Sequence, residues 1–300
     1  MIGVRERSVA IAIVVLGAVL SVFTERFFSA ANLTDLFLAN VPVLVAAIGA
    51  TLVIVSGEID ISVGSAFAIC SVAAGFAAKA GLPIAGIAIV IVLLGAALGA
   101  MNGALVAFAR VPSIVVTLAA MVALRDGLRW ATQGEWVQDL PATFQWLGQS
   151  QAAYPFVIGA VASTLVAATA WGARDLAAGR AIYATGSNPV AARLAGLDVA
   201  AVKFSVFTMA GALTALAAVI NAARFTQVPS NSGLGLEMKV IAAAVVGGAA
   251  IRGGRATLAG TVLGVVLLGA IGPALTFLGV NAYWERAIQG AIILAAVVVK

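Results

Sequence analysis

Residues 80–109 read AGLPIAGIAIVIVLLGAALGAMNGALVAFA, thirty positions without a charged side chain, bounded by Lys79 and Arg110. A bilayer's hydrocarbon core is about 30 Å thick, and a helix crosses it in roughly 20 residues. Inside lipid each backbone amide must be satisfied within the protein, so such a run is a helix. Comparable charge-free runs occupy 8–24, 36–57, 61–78, 140–173, 204–223 and 257–284, with shorter ones at 111–124, 240–251 and 287–299. The fold expected is an all-α integral membrane protein of about ten transmembrane helices, some broken or short, forming a single transmembrane domain over 1–300. A closed barrel would need alternating segments of about ten residues, which are absent.

Composition agrees: 63% of residues are hydrophobic and 10% are charged, where soluble domains carry about 25% charged residues. The net charge of +5 comes from 17 basic and 12 acidic residues. The basic residues are scattered between apolar runs and not gathered on a face, which argues against nucleic acid. There is no histidine, and Cys70 is the single cysteine. A disulfide framework, a metal centre and imidazole proton chemistry are therefore not expected.

Basic residues of short loops stay in the cytoplasm. With ten passes, Arg5 and Arg7, Arg110, the 174–203 segment, Arg252 with Arg255, and Lys300 all fall on that side, so both termini are expected to be cytoplasmic. The 131–154 loop has no lysine or arginine and falls outside. The first apolar run superficially resembles a secretory signal, but Glu25 and Arg26 interrupt it and many spans follow, so an uncleaved helix is expected.

Two segments read as interrupted helices. In SGEIDISVGS, 56–65, Asp60 or Ser62 can cap a new helix while Gly57 and Gly64 relax the backbone. The second is GGAAIRGGR, 247–255. Laying Gly57 on Gly247, an offset of 247 − 57 = 190, also pairs Ile61 with Ile251 and Gly64 with Gly254, which suggests a parallel internal repeat. Gly95, Gly99 and Gly103 recur every four residues and let another backbone approach closely. Gly260 and Gly264 repeat the device once. Packing inside the chain is preferred over a subunit interface. Asn102, beside the ridge, can bond a neighbouring helix or face a polar pathway.

Residues 179–203, GRAIYATGSNPVAARLAGLDVAAVK, are the sizeable island of positive charge and turn residues. Ser187 or Asn188 can cap a helix, Pro189 suits its first position, and Gly196 suits the left-handed residue that ends it. About seven helical residues remain, with Ala191, Ala192, Leu194 and Ala195 as an apolar surface and Arg193 as a charged point. So short a helix needs a partner surface, either the membrane interface or a protein.

The remaining charged and aromatic candidates carry two readings each. Glu58 and Asp60 form a carboxylate pair with no nucleophile or metal cluster, so they cap and solvate, or hold the broken helix near a pathway. Arg125, Asp126 and Arg129 lie within one helical turn and serve as an interface anchor, an outer gate or a docking contact. Trp136, Gln138, Asp139 and Trp146 on the outer loop belong to a headgroup belt or to a landing surface for a binding protein. A phosphate loop fails: Gly248 and Gly253 have the spacing, but Gly254 and Arg255 stand where lysine and serine or threonine are required.

Four ordered stretches, TLVIVSGEIDISVGS, GAMNGALVAFARVPSIVVTLAAM, ATGSNPVAARLAGLDVAAVKFSVF and KVIAAAVVGGAAIRGGRATLAG, carry a resemblance over nearly the whole chain. The chain resembles the membrane permease subunits of bacterial ABC importers for ribose, xylose, rhamnose, autoinducer-2 and similar sugars. The resemblance implies that 186–197 is the coupling helix seated in a groove of a cytoplasmic ATPase. Gly186, Asn188, Ala191, Ala192 and Gly196 fit that pattern. Pro189 and Val190 replace residues that are often acidic in the family, and Glu58 replaces the usual glycine or asparagine before the Ile-Asp pair.

The function so implied is import of a monosaccharide across the bacterial inner membrane, with no catalysis by this chain. Implied partners are ABC ATPase subunits holding ATP and magnesium, a second permease copy or paralogue, and a periplasmic sugar-binding protein. Rhamnose is the first choice of cargo. The competing class is an ion-coupled secondary transporter, which places ionisable relays within the membrane.

Overall fold

The computed structural model describes residues 4–281 and 283–298; Lys300 and the Arg5 side chain, both read above as topology markers, lie outside the described part. Twelve α-helices follow one another among the described residues: α1 Val4–Phe23, α2 Ala30–Val55, α3 Val63–Lys79, α4 Ile84–Ala107, α5 Ser113–Thr132, α6 Tyr154–Asp175, α7 Ala177–Ser187, α8 Pro189–Leu194, α9 Val199–Ala222, α10 Leu236–Val246, α11 Leu258–Phe277 and α12 Trp284–Val298. Ten of them coincide with the ten apolar runs. Six (α1, α2, α4, α6, α9 and α11) are long and apolar enough to cross a membrane. The helices α3, α10 and α12 are shorter, and α5 carries three charges in its last two turns.

Short connections alternate the helix directions. The start of α1, the break between α2 and α3, the α4–α5 turn, α7, α8 and the break between α10 and α11 therefore share one end, here the α8 end. Long-range bonds confirm it, for Glu6 of α1 bonds Thr257 at the head of α11, and Lys203 of α9 bonds Glu58. At the opposite end the 133–153 loop folds back on the segment after α9. Val137 and Val228 exchange backbone bonds of 3.0 and 2.8 Å, and the Ser230 hydroxyl donates to the Gly134 carbonyl at 2.9 Å.

The core runs along α2, α3, α9 and α10, where Val45, Val53, Cys70, Phe207, Val240 and Ala243 are sealed from solvent. Much of α1, α5 and α6 shows apolar side chains outward, as lipid-facing helices do. Glycine sets the closest packing. The ridge Gly95, Gly99, Gly103 lies against α9 at Gly211, Phe207 and Phe204, and a Cβ at Gly103 would stand 3.0 Å from that of Phe207. Gly260 and Gly264 receive the carbonyls of Gly247 and Ala243 in the same way. Both devices join helices of this chain.

The two breaks end their preceding helices alike, but not in the register that sequence suggests. After α2, Gly57 has φ 86°, and the amides of Ser56, Gly57 and Glu58 donate to Leu52, Ile54 and Val53. After α10, Gly248 has φ 101°, and the amides of Gly247, Gly248 and Ala249 donate to Ala243, Val245 and Ala244. The matching offset is 248 − 57 = 191, not 190. Gly247 is an ordinary αR residue at φ −66°, and Gly64 lies within α3 while Gly254 has φ 75°. A left-handed glycine closes each helix, so at these two helix ends the backbones correspond at an offset of 191. The pairs Gly57 with Gly247, Ile61 with Ile251 and Gly64 with Gly254 are therefore corrected.

Candidate functional site

At the α8 end, Asn188 caps α8 by accepting from the amides of Val190 and Ala191, both at 3.0 Å. Pro189 is its first residue, six residues are helical, and Gly196 turns the chain at φ 85°. Asp198 then caps α9, accepting from Ala200 and Ala201. Ser187 ends α7 and does not cap. On α8, Ala192 is buried while Val190, Ala191, Arg193 and Leu194 are exposed, Leu194 at 86%. The peg thus presents an apolar tip with no partner among the described residues.

The root of the peg is the reverse. Gly186 sits where a Cβ would overlap the Val55 carbonyl at the end of α2 and lie 2.8 Å from the amide of Gly254. That amide donates to the same Val55 carbonyl at 2.8 Å. A Cβ on Gly253 would meet the Gly186 carbonyl and the Gly57 Cα, each at 2.8 Å. Backbones from α7 and from both helix breaks therefore touch at one point, which only glycine permits. The Tyr183 hydroxyl, one turn back on α7, adds a 2.9 Å bond to the carbonyl of Ala256. Burial pushes that phenol above its usual range, so it stays a neutral donor.

Around this knot the first break is held by polar side chains. Asp60 Oδ1 accepts from the Ser62 amide at 2.8 Å and its hydroxyl at 2.6 Å. Ser62 is the residue before α3 and makes no side-chain cap, so Asp60 shapes the turn ahead of the helix. Asn102 of α4 donates to the Ser62 hydroxyl at 2.8 Å, tying α4 to this segment. Glu58 forms an ion pair with Lys203 of α9, their side chains 13% and 22% exposed. Beside them a cavity of about 620 Å³ is lined by Arg110, Arg193, Asp198 and Lys203.

The other sequence candidates scatter. Arg125 turns inward to Glu237 of α10 at 3.6 Å, and Gly64 of α3 makes room for that pair. Arg129, although four residues on, pairs with Asp126 at 3.8 Å on the surface, both 67% exposed. The three charges do not form one group. Trp136, Gln138 and Asp139 are exposed on the 133–153 loop. Trp146 instead packs edge-on against Tyr154 at 4.9 Å, and the Tyr154 hydroxyl donates to the Ile220 carbonyl at 2.7 Å. It is half-buried and fastens the loop to the bundle. Reading the sequence missed α7, the Lys203 partner of Glu58, and Glu237. A lone acid at the head of a short apolar run was the available signal for the last.

A bundle of alternating apolar helices, two interrupted near one end and locked to a protruding peg, defines a multi-pass membrane transport protein. Among the described residues no group of metal-ligating side chains occurs. The chain belongs to the family described as the permease component of the branched-chain amino acid transport system, whose pattern matches residues 32–297. It is 36% identical over 294 residues to the autoinducer 2 import system permease protein LsrC of Yersinia pseudotuberculosis serotype O:1b (strain IP 31758), covering 98% of this chain and 84% of that one. The LsrC proteins of Yersinia pestis strains Pestoides F and Angola match to the same extent. No solved structure matches the chain. It is the permease component of an ABC import system.

Proposed function

We propose that the chain carries a small polyhydroxylated solute, autoinducer-2-like or rhamnose-like, across the inner membrane, powered by separate ATPase subunits that grip α8. The observation that carries this reading is the glycine knot under the peg. A force applied to the exposed face of α8 reaches Gly186 through one helical turn and Ser187. There it meets the ends of α2 and α10 at once, so one displacement moves two interrupted helices together.

Charge supports the orientation. Between residues 6 and 298 the α8 end carries Arg7, Arg110, Arg174, Arg180, Arg193, Lys203, Arg252 and Arg255 against five acids, whereas the opposite end carries seven bases and seven acids. The basic excess supports a cytoplasmic α8 end, with both termini beside it. The exposed loop residues Trp136, Gln138 and Asp139 then face a binding protein in the periplasm. Two permease chains, identical or paralogous, complete the pathway. Gly248, Gly253 and Gly254 make a helix break whose Gly254 amide is bonded to the Val55 carbonyl; on this reading ATP and magnesium belong to the partner ATPase.

Cys70 is buried and free, so a cysteine introduced into the natural chain reports alone. Ser187→Cys is expected to react with a membrane-impermeant maleimide only in inverted vesicles, and Gln138→Cys only in right-side-out ones. In proteoliposomes with ATPase and binding protein, uptake is expected to require ATP and to persist with an ionophore. Reversed labelling, or uptake without the ATPase that an ionophore abolishes, would favour the ion-coupled class.

A further inference from the structure

At the end opposite α8, a cavity of about 440 Å³ opens between α2, α10, α11 and α12. Its size lies within the range of small-molecule sites. Among aliphatic walls it gathers Asp35, Asn40, Arg224, Lys239 and Glu285. Ionisable groups are costly among membrane helices and mark solute paths when they face a cavity. None of these residues is explained by the peg or the helix breaks.

Their bonding leaves specific vacancies. Lys239 Nζ donates to Glu285 Oε1 at 2.8 Å, and Gln289 Nε2 donates to the same oxygen at 2.9 Å, which leaves Oε2 as an acceptor. The Asn40 amide nitrogen donates to the Leu36 carbonyl at 2.7 Å. Its amide lies so close to Gly269 of α11 that any Cβ there would overlap it. Arg224, just after α9, has its Nε buried without a partner; burial disfavours its charge, and Tyr154 and Asp35 nearby only partly oppose that. A buried polar atom with no partner needs an explanation, and a ligand is one.

We propose that this cavity binds a neutral, polyhydroxylated molecule of monosaccharide size as it passes through the permease. The two acids and two bases already balance, so a charged ligand would upset the site. Hydroxyl groups both donate and accept, which matches the acceptors on Asn40 and Glu285 and the donor on Arg224. The proposal deepens the importer reading and rests on it for the ligand class.

The test is saturation-transfer NMR on the purified permease in nanodiscs, with L-rhamnose, D-ribose and L-leucine as probes. A sugar is expected to receive saturation and leucine none. Asn40→Leu, Gly269→Ala and Arg224→Gln are each expected to weaken sugar binding about tenfold, through loss of one hydrogen-bonding partner or, at Gly269, displacement of the Asn40 amide. Ser205→Ala, on an exposed face of α9, is expected to leave it unchanged. Thermal melting of each variant separates lost binding from lost folding. Binding of leucine in place of sugar, no sugar binding to the natural chain, or unchanged binding in all three cavity variants would overturn the proposal. Uptake by the assembled importer separates the two readings. ATP-driven uptake untouched by the cavity variants sinks only the cavity, whereas uptake indifferent to ATP sinks the importer reading and leaves the NMR result standing.

Discussion

The glycines at 186 and 196 flank the peg, and adding one methyl group to each tests how force leaves it. At Gly186 the new Cβ would overlap the Val55 carbonyl and crowd the Gly254 amide. To reach ordinary contact distance the end of α7 must withdraw by on the order of an ångström or two. Overpacking of this kind costs about 1–3 kcal/mol, and breaking the Gly254-to-Val55 bond adds about 1–3 kcal/mol. Local withdrawal of the peg relieves both strains at less cost than unfolding the bundle. At Gly196 nothing lies within 4 Å, and only the left-handed φ of 85° is penalised. That costs about 1–2 kcal/mol and stays in the loop. The assay is the ratio of sugar imported to ATP hydrolysed by the complex reconstituted with its ATPase and binding protein. Gly186→Ala is expected to lower this ratio about fivefold or more, the scale of a typical coupling energy, while Gly196→Ala leaves it near the natural value. An unchanged ratio in Gly186→Ala, or an equal fall in both, would refute transmission through the glycine knot.

Two further expectations concern stability and are read by thermal melting in detergent. The Glu58–Lys203 pair is more enclosed than a surface pair, worth about 0.2–1 kcal/mol, and less than a sealed one, whose disruption costs about 3–5 kcal/mol. Glu58→Gln or Lys203→Met alone should therefore destabilise by about 1–3 kcal/mol, and the double variant by less than either; additive losses would show that the two do not act as a pair. Gly99→Leu, which drives a side chain into the backbone of α9 at Phe207, should cost about 3 kcal/mol or prevent folding, whereas Leu93→Ala on the 63% exposed face of α4 should cost about 0.5 kcal/mol or less. Similar losses at both positions would mean that α4 does not press on α9.

The ten apolar runs, the capped peg and the clustering of basic residues at its end were legible because each is written in neighbouring residues. Charge-free length declares a helix in lipid, and Asn188, Pro189 and Gly196 declare the limits of α8 from residues next to it. The helix α7 was not legible, since its Gly179, Ala181, Ile182 and Thr185 are too small and mixed to stand out until α2, α6 and α9 bury them. The repeat register slipped by one because consecutive glycines at 247 and 248 look alike in sequence, and only φ distinguishes the helical one from the left-handed one.

By itself, then, the sequence determined that this protein is a helical membrane body with a protruding peg and two interrupted spans. Tertiary structure alone decided which helices the glycine ridge joins, that Arg125 seeks Glu237 and parts from Arg129, that Glu58 meets Lys203, and where a polar cavity opens. The physical reason is that lipid tails and neighbouring helices are equally apolar, so hydropathy says that a face is buried without saying against what. Lateral partners are chosen by close fit between backbones far apart in the chain, and that fit exists only once the helices have met.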